Sequence, residues 1–76
     1  MDPSDKIYLQ LIGNKIRTQR EINGLSQFQL ATECDLSKNQ IGRIERAEIS
    51  TTIITLKRIA DVLRIKIEEL VTEASE

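Results

Sequence analysis

Histidine is absent from this 76-residue chain, and cysteine occurs only once, at position 34. Without histidine a Ser–His–Asp triad cannot form, and one cysteine is too few for a structural zinc site. No apolar run approaches the roughly 20 residues that a membrane-spanning helix needs. The three glycines lie far apart and form no phosphate-binding loop. The sequence therefore predicts no enzyme, no metal or cofactor site, no small-molecule substrate and no membrane protein.

Aromatic residues and proline are also scarce. With one Tyr, one Phe and no Trp, the core must be built from Ile, Leu, Val and Ala. The length predicts a single domain over residues 1–76, with its core at about 7–72 and frayed termini. The N-terminus lacks the basic start and apolar block of a signal peptide, and one cysteine excludes an intramolecular disulfide. Both features favour a cytoplasmic location.

Apolar residues recur at helical spacing along most of the chain, and no segment shows a sustained strand period. The pattern predicts five helices, over about residues 5–22, 27–34, 38–46, 53–63 and 67–72. Ser26, Ser37 and Thr52 precede three of them and are typical N-cap residues. Cys34 is expected in the core as a small hydrophobe. The fourth helix is expected to bury Ile53, Leu56, Ile59, Ala60 and Leu63.

Charge is distributed unevenly, although the net charge is only −1. Residues 14–46 carry six basic and four acidic side chains, whereas residues 47–76 carry four basic and six acidic ones. The segment "LSKNQIGRIER", residues 36–46, concentrates long hydrogen-bonding side chains. A local basic surface is therefore compatible with an acidic chain.

The second and third predicted helices are short and are joined by about three residues, which is the sequence form of a helix-turn-helix. In the third helix, Ile41 and Ile44 form an apolar side that can anchor it. The opposite side presents long polar groups. Asn can pair with adenine in two hydrogen bonds, and Lys or Arg with guanine. The side chains expected to face outward are Ser37, Lys38, Asn39, Gln40 and Arg43.

Four stretches of the sequence resemble a known protein family. The stretches "IGNKIRTQR", "GLSQFQLA", "LSKNQIGRIER" and "TLKRIADVL" occur in the order and spacing of the Cro/phage-repressor-like helix-turn-helix family of prokaryotic transcriptional regulators. The chain resembles this family from Ile12 to Leu70, about three-quarters of its length. The resemblance implies an all-α, compact five-helix lambda-repressor-like domain. It also implies binding to double-stranded DNA as a homodimer, with the third helix in the major groove.

The resemblance assigns roles to individual positions. Base-contacting positions fall on Ser37, Lys38, Asn39 and Arg43. Backbone-contacting positions fall on Gln27, Gln40, Arg46, Ser50 and Thr51, and the basic residues Lys15 and Arg17 are expected to contact phosphates as well. Arg20 and Glu45 match a semi-buried ion pair between the first and third helices.

Two positions depart from the family pattern, which often has Gly in the turn and after the third helix. This chain has Asp35 in the turn, and Asp tolerates the left-handed conformation better than most residues. After the third helix it has Ala47. Either the loop bends differently there, or Ala47 adopts a conformation that costs roughly 1 kcal/mol.

The function expected from these features is a sequence-specific DNA-binding regulator that acts as a repressor or autoregulator at a pseudo-palindromic operator. The alternative is a protein-interaction module of the same fold, such as an antitoxin or an anti-repressor. A polar, basic outer side of the third helix favours the first reading. A surplus of apolar residues supplies candidates for a dimer interface: Ile49, Ile54, Ile67 and Val71.

Overall fold

The computed structural model describes residues 2–72, which form five α-helices and no β-strand. The predicted all-α class and the order of the five helices are confirmed. The predicted fraying of the termini concerns residues 1 and 73–76, which lie outside the described residues. The helices are α1 (Pro3–Ile22), α2 (Gln27–Cys34), α3 (Lys38–Glu45), α4 (Ile53–Leu63) and α5 (Ile67–Val71).

The predicted bounds of α2 and α4 are confirmed, and three ends of the other helices differ by one or two residues. The first helix begins two residues earlier than expected. The Asp2 carboxylate accepts a hydrogen bond from the Ser4 N–H at 2.7 Å, and Pro3 occupies the first helical position, where its missing N–H costs nothing. The third and fifth helices each end one residue early, because Arg46 and Thr72 are their C-caps.

The three predicted N-caps are confirmed. The hydroxyls of Ser26, Ser37 and Thr52 each accept a backbone N–H three residues later, at 3.0, 3.1 and 3.1 Å. In turn, the side-chain oxygens of Gln29 and Gln40 accept hydrogen bonds from the backbone N–H groups of Ser26 and Ser37. These reciprocal bonds complete two capping boxes. Helices of eight residues are marginal alone, so these caps help fix where α2 and α3 begin.

The core is aliphatic, as the scarcity of aromatic residues requires. Cys34 belongs to it, with 2% of its surface exposed. Burial raises the pKa of its thiol to about 11, so the residue stays neutral and behaves as a small hydrophobe. The buried cluster consists of Ile12, Ile16, Leu30, Ala31, Cys34, Ile41, Ile44, Leu56, Ile59, Ala60, Leu63 and Leu70.

One predicted core residue is on the surface. Ile53 was expected to begin the buried stripe of α4, but it is 62% exposed. It is the first residue of α4, and the buried positions of that helix start only at Leu56. The prediction was wrong because helical periodicity shows only which side of the helix a residue lies on. Burial also requires another helix to pack over that residue at its position along the helix axis.

Backbone geometry settles the two departures from the family pattern. Asp35 is left-handed, with φ 60° and ψ 42°, and caps the end of α2. Ala47 is also left-handed, with φ 59°, so the loop keeps its bend at the cost of roughly 1 kcal/mol. The Ala47 methyl is buried, and its carbonyl accepts a hydrogen bond from Lys6 Nζ at 2.6 Å.

Helix α3 packs against both α1 and α2, and α4 and α5 close the bundle. The crossing of α1 and α3 is close at Gly13, where an added Cβ would lie 2.5 Å from the carbonyl oxygen of Glu45. Across residues 2–72, no helix has the length and apolar content to cross a lipid bilayer.

Candidate nucleic-acid interface

The third helix has a buried side and an exposed side. Ile41 is fully buried and Ile44 is 5% exposed, so both hold α3 against the rest of the bundle. This matches the predicted apolar anchor. The opposite side carries the five predicted outward residues, all of which are exposed: Ser37, Lys38, Asn39, Gln40 and Arg43.

Two of these outward residues also cap α3. The Ser37 Oγ accepts the Gln40 N–H at 3.1 Å, and the Gln40 Oε1 accepts the Ser37 N–H at 2.9 Å. One of the two lone pairs on each acceptor oxygen is thus occupied. A hydroxyl hydrogen on Ser37 and the amide NH₂ of Gln40 are the groups left to donate outward. Asn39 and Arg43 lie four residues apart on the helix and therefore share one face.

An open groove of about 470 Å³ runs beside this face. Residues of both α2 and α3 line it: Gln27, Lys38, Asn39, Gly42 and Arg46. Gly42 leaves room for the Arg46 side chain, since an added Cβ would lie 2.9 Å from Arg46 Nη1. The groove brings together four of the residues that the sequence assigned to DNA contact.

A buried ion pair holds α3 in this position. Arg20 Nε donates to Glu45 Oε2 at 2.7 Å, and the two side chains are 11% and 3% exposed. Gln27 Nε2 donates to Glu45 Oε1 at 3.1 Å, and Arg20 Nη1 donates to the Leu25 carbonyl at 2.9 Å. One carboxylate therefore links the first, second and third helices.

Lys15 and Arg17, the two residues of α1 that were expected to contact phosphates, lie on different sides of that helix. Arg17 lines a depression with Arg46 and Gln27, next to the groove, and its Nε lies 3.3 Å from Glu21 Oε2. Lys15 instead donates to the carbonyl of Thr72 beyond α5. The structure thus places Arg17 with the α3 surface and leaves Lys15 on the side of α1 that faces α5.

The loop after α3 contributes Ser50, which is exposed, and Thr51, which is half-buried. Both line a mainly apolar cavity of about 190 Å³ together with Ile49 and Val71. They lie apart from the groove beside α3. Among the predicted dimer residues, Ile49, Ile67 and Val71 pack partly against the core, whereas Ile54 is 60% exposed.

Sequence reasoning missed Glu48. Its carboxylate lies 2.7 Å from Arg46 Nε and 3.8 Å from Arg43 Nε, so it touches two residues of the α3 surface. An acidic residue just beyond a helix C-terminus opposes the helix dipole, and that position was the available signal. Which side chains it meets depends on the left-handed turn at Ala47, which the sequence left open.

Comparison with known proteins agrees with this geometry. Residues 16–70 match the helix-turn-helix family. The chain belongs to the helix-turn-helix family. It is 36% identical over 63 residues to the control protein C.SmaI of Serratia marcescens, covering 83% of this chain and 75% of that protein.

Two further relatives extend the comparison. The immunity repressor protein of Bacillus phage phi105 is 32% identical over 62 residues, which cover 82% of this chain and 43% of that repressor. The crystal structure of the restriction-modification controller protein C.AhdI from Aeromonas hydrophila superposes with a TM-score of 0.79. The two sequences are 31% identical, and the superposed region covers 82% of this chain and 94% of the C.AhdI chain.

Membership of the helix-turn-helix family sets the broad function. The family consists of DNA-binding transcriptional regulators and not of enzymes. This protein is accordingly a DNA-binding regulator of transcription, as the sequence predicted.

Proposed function

We propose that the protein binds a pseudo-palindromic operator as a homodimer and represses transcription, including that of its own gene, by occupying the DNA. The observation that carries this proposal is the construction of α3. Its back is buried through Ile41 and Ile44, its start is fixed by a capping box, and its exposed side carries donors and acceptors. A rigid helix with a polar front suits the major groove, which is about 12 Å wide.

Base readout is assigned to Ser37, Lys38, Asn39 and Arg43. Asn39 can make two hydrogen bonds with adenine, and Arg43 can make two with guanine. Both side chains are exposed and lie on one face of α3, so they can reach neighbouring base pairs at once. Lys38 borders the groove beside them.

Backbone contact is assigned to residues that flank this face. Gln27 and Arg46 line the groove, Arg17 lies in the adjoining depression, and Gln40 keeps its amide donor. Such contacts fix the register of a protein on the duplex and carry no sequence information themselves. Ser50 and Thr51 lie outside the groove, and we assign them backbone contact only because they follow α3 in the chain. We leave Lys15 out of the proposed set, since its amine lies on the α5 side of α1 and donates to the Thr72 carbonyl there.

The homodimer is supported by exposed apolar surface on α4. Ile53 and Ile54 are 62% and 60% exposed and adjacent, and apolar pairs of this kind suit a protein interface. Ile49, Ile67 and Val71 add half-buried apolar surface. In a two-fold dimer, the two α3 helices must lie about 34 Å apart to enter successive major grooves.

Relatives support repression and control as the role. One is named an immunity repressor protein, and two are named control or controller proteins. The same reading implies action in the cytoplasm, where bacterial and phage operators are found. A protein-interaction module would explain the fold, but it gives no reason for the basic and amide side chains on the outer side of α3.

Selection of bound sites from random DNA, followed by affinity measurements at several salt concentrations, tests the proposal. We expect a two-fold symmetric site to be enriched. The affinity for that site should fall steeply with salt, since each neutralised phosphate contributes about −0.9 to the slope of log K against log[salt]. Scrambled DNA is the control. No enriched site, or an affinity that does not change with salt, would refute sequence-specific DNA binding.

A further inference from the structure

The loop after α3 places Glu48 against the exposed side of that helix, which is the surface proposed to face DNA. The chain leaves α3 at Arg46 and turns through the left-handed Ala47. The Glu48 N–H then donates to the Arg43 carbonyl at 2.9 Å. This hydrogen bond reverses the chain and returns the Glu48 side chain towards the exposed side of α3.

The Glu48 carboxylate meets two arginines there. Its Oε2 accepts from Arg46 Nε at 2.7 Å, and its Oε1 lies 3.5 Å from Arg46 Nη2 and 3.8 Å from Arg43 Nε. All three side chains are about half exposed. The hydrogen bond from Arg46 holds the pKa of Glu48 below its usual value, so the carboxylate is ionised at neutral pH.

Stability does not explain a carboxylate at this position. Exposed ion pairs contribute little to folding, and a negative charge beyond a helix C-terminus opposes the helix dipole. A neutral polar residue would lose only these weak, exposed contacts. The relevant consequence is electrostatic, because Glu48 cancels positive charge at the two arginines proposed to contact DNA.

Building on the proposed function, we propose that Glu48 is a specificity-determining residue of the DNA-binding surface. It competes with phosphates for Arg43 and Arg46, and this lowers affinity for every DNA sequence. It also attracts the Arg43 guanidinium through Nε at 3.8 Å without a hydrogen bond, which leaves both Nη groups available, and this helps only where Arg43 meets its base. Nonspecific binding depends almost wholly on phosphate attraction. Glu48 therefore penalises nonspecific DNA more than the operator.

The test is Glu48→Gln, which keeps the size and polarity of the side chain and removes its charge. Affinities for the selected operator and for a scrambled duplex are measured at one salt concentration. Asp61→Asn is the matched control, since Asp61 is an exposed carboxylate of α4 paired with Lys57 at 2.7 Å and makes the same change in net charge.

We expect Glu48→Gln to bind scrambled DNA about three- to fivefold more tightly, as loss of one exposed charge implies. The operator should gain less, so the ratio of the two affinities falls, while Asp61→Asn keeps the wild-type ratio. An unchanged ratio in Glu48→Gln, or a loss confined to the operator, would overturn this role. If wild-type protein itself fails to distinguish operator from scrambled DNA, the proposed function fails instead.

Discussion

Arg20 on α1 and Glu45 on α3 form a two-point ion pair, with Nε to Oε2 at 2.7 Å and Nη2 to Oε1 at 3.1 Å. The hydrogen bond to Glu45 raises the pKa of Arg20 further above its already high ordinary value, so the guanidinium is charged at neutral pH. Gln27 donates to the same carboxylate. The orientation of α3 relative to the first two helices thus depends on one buried acidic side chain.

Replacing that side chain should destabilise the fold. Glu45→Ala leaves the Arg20 charge in a site where its side chain is 11% exposed, and breaking a buried pair this way costs roughly 3–5 kcal/mol. Glu21→Ala is the control, because Glu21 is 56% exposed and its loss should cost at most about 0.5 kcal/mol. Urea denaturation of both variants decides the matter. Similar small losses would show that the pair contributes little.

Two glycines should respond oppositely to alanine. At Gly13 the new methyl would lie 2.5 Å from a backbone carbonyl of α3, which cannot move without separating the helices. At Gly42 the nearest atom belongs to the flexible Arg46 side chain. We expect Gly13→Ala to lower the thermal midpoint, at a cost of about 1–3 kcal/mol. Gly42→Ala should raise stability by about 0.5–1 kcal/mol. Two shifts of the same sign would contradict the described crossing.

The dimer prediction is tested at Ile54. If the exposed apolar pair on α4 forms the interface, Ile54→Glu places charges in an apolar contact and should convert the dimer to a monomer. Ile22→Glu is the control, since Ile22 is 70% exposed but lies at the end of α1. Sedimentation equilibrium at micromolar concentration distinguishes the two states. A wild-type protein that stays monomeric even with operator DNA would rule out the homodimer.

The order of the helices and most of their bounds could be predicted because they depend on residues close together in the sequence. The caps Ser26, Ser37 and Thr52 act within one turn, and apolar periodicity fixes the buried side of each helix. The start of α1 was also encoded locally, in Asp2 and Pro3. Ile53 was misplaced because its burial depends on whether another helix passes over it, and no local pattern records that.

The site was predictable to a similar extent. The exposed side of α3 follows from its length and periodicity. The ion pair between Arg20 and Glu45 was predicted from the family resemblance. Lys15 and Arg17 differ by two positions and so point roughly 200° apart on a helix, which could have separated them beforehand. Glu48 could not be placed, because its contacts depend on the loop path set by Ala47.

The assignment of base readout to α3 is the main claim, and the most direct test is the affinity of Asn39→Ala and Arg43→Ala for the selected operator and for scrambled DNA at fixed salt. Both side chains are exposed and outside the core, so each variant should keep its stability within about 0.5 kcal/mol. Operator binding should weaken by about 1–3 kcal/mol per half-site, with preference relaxed at one base pair and scrambled DNA little affected. Equal weakening on both DNAs would show that these residues contact only the backbone, and α3 would not be the reading element.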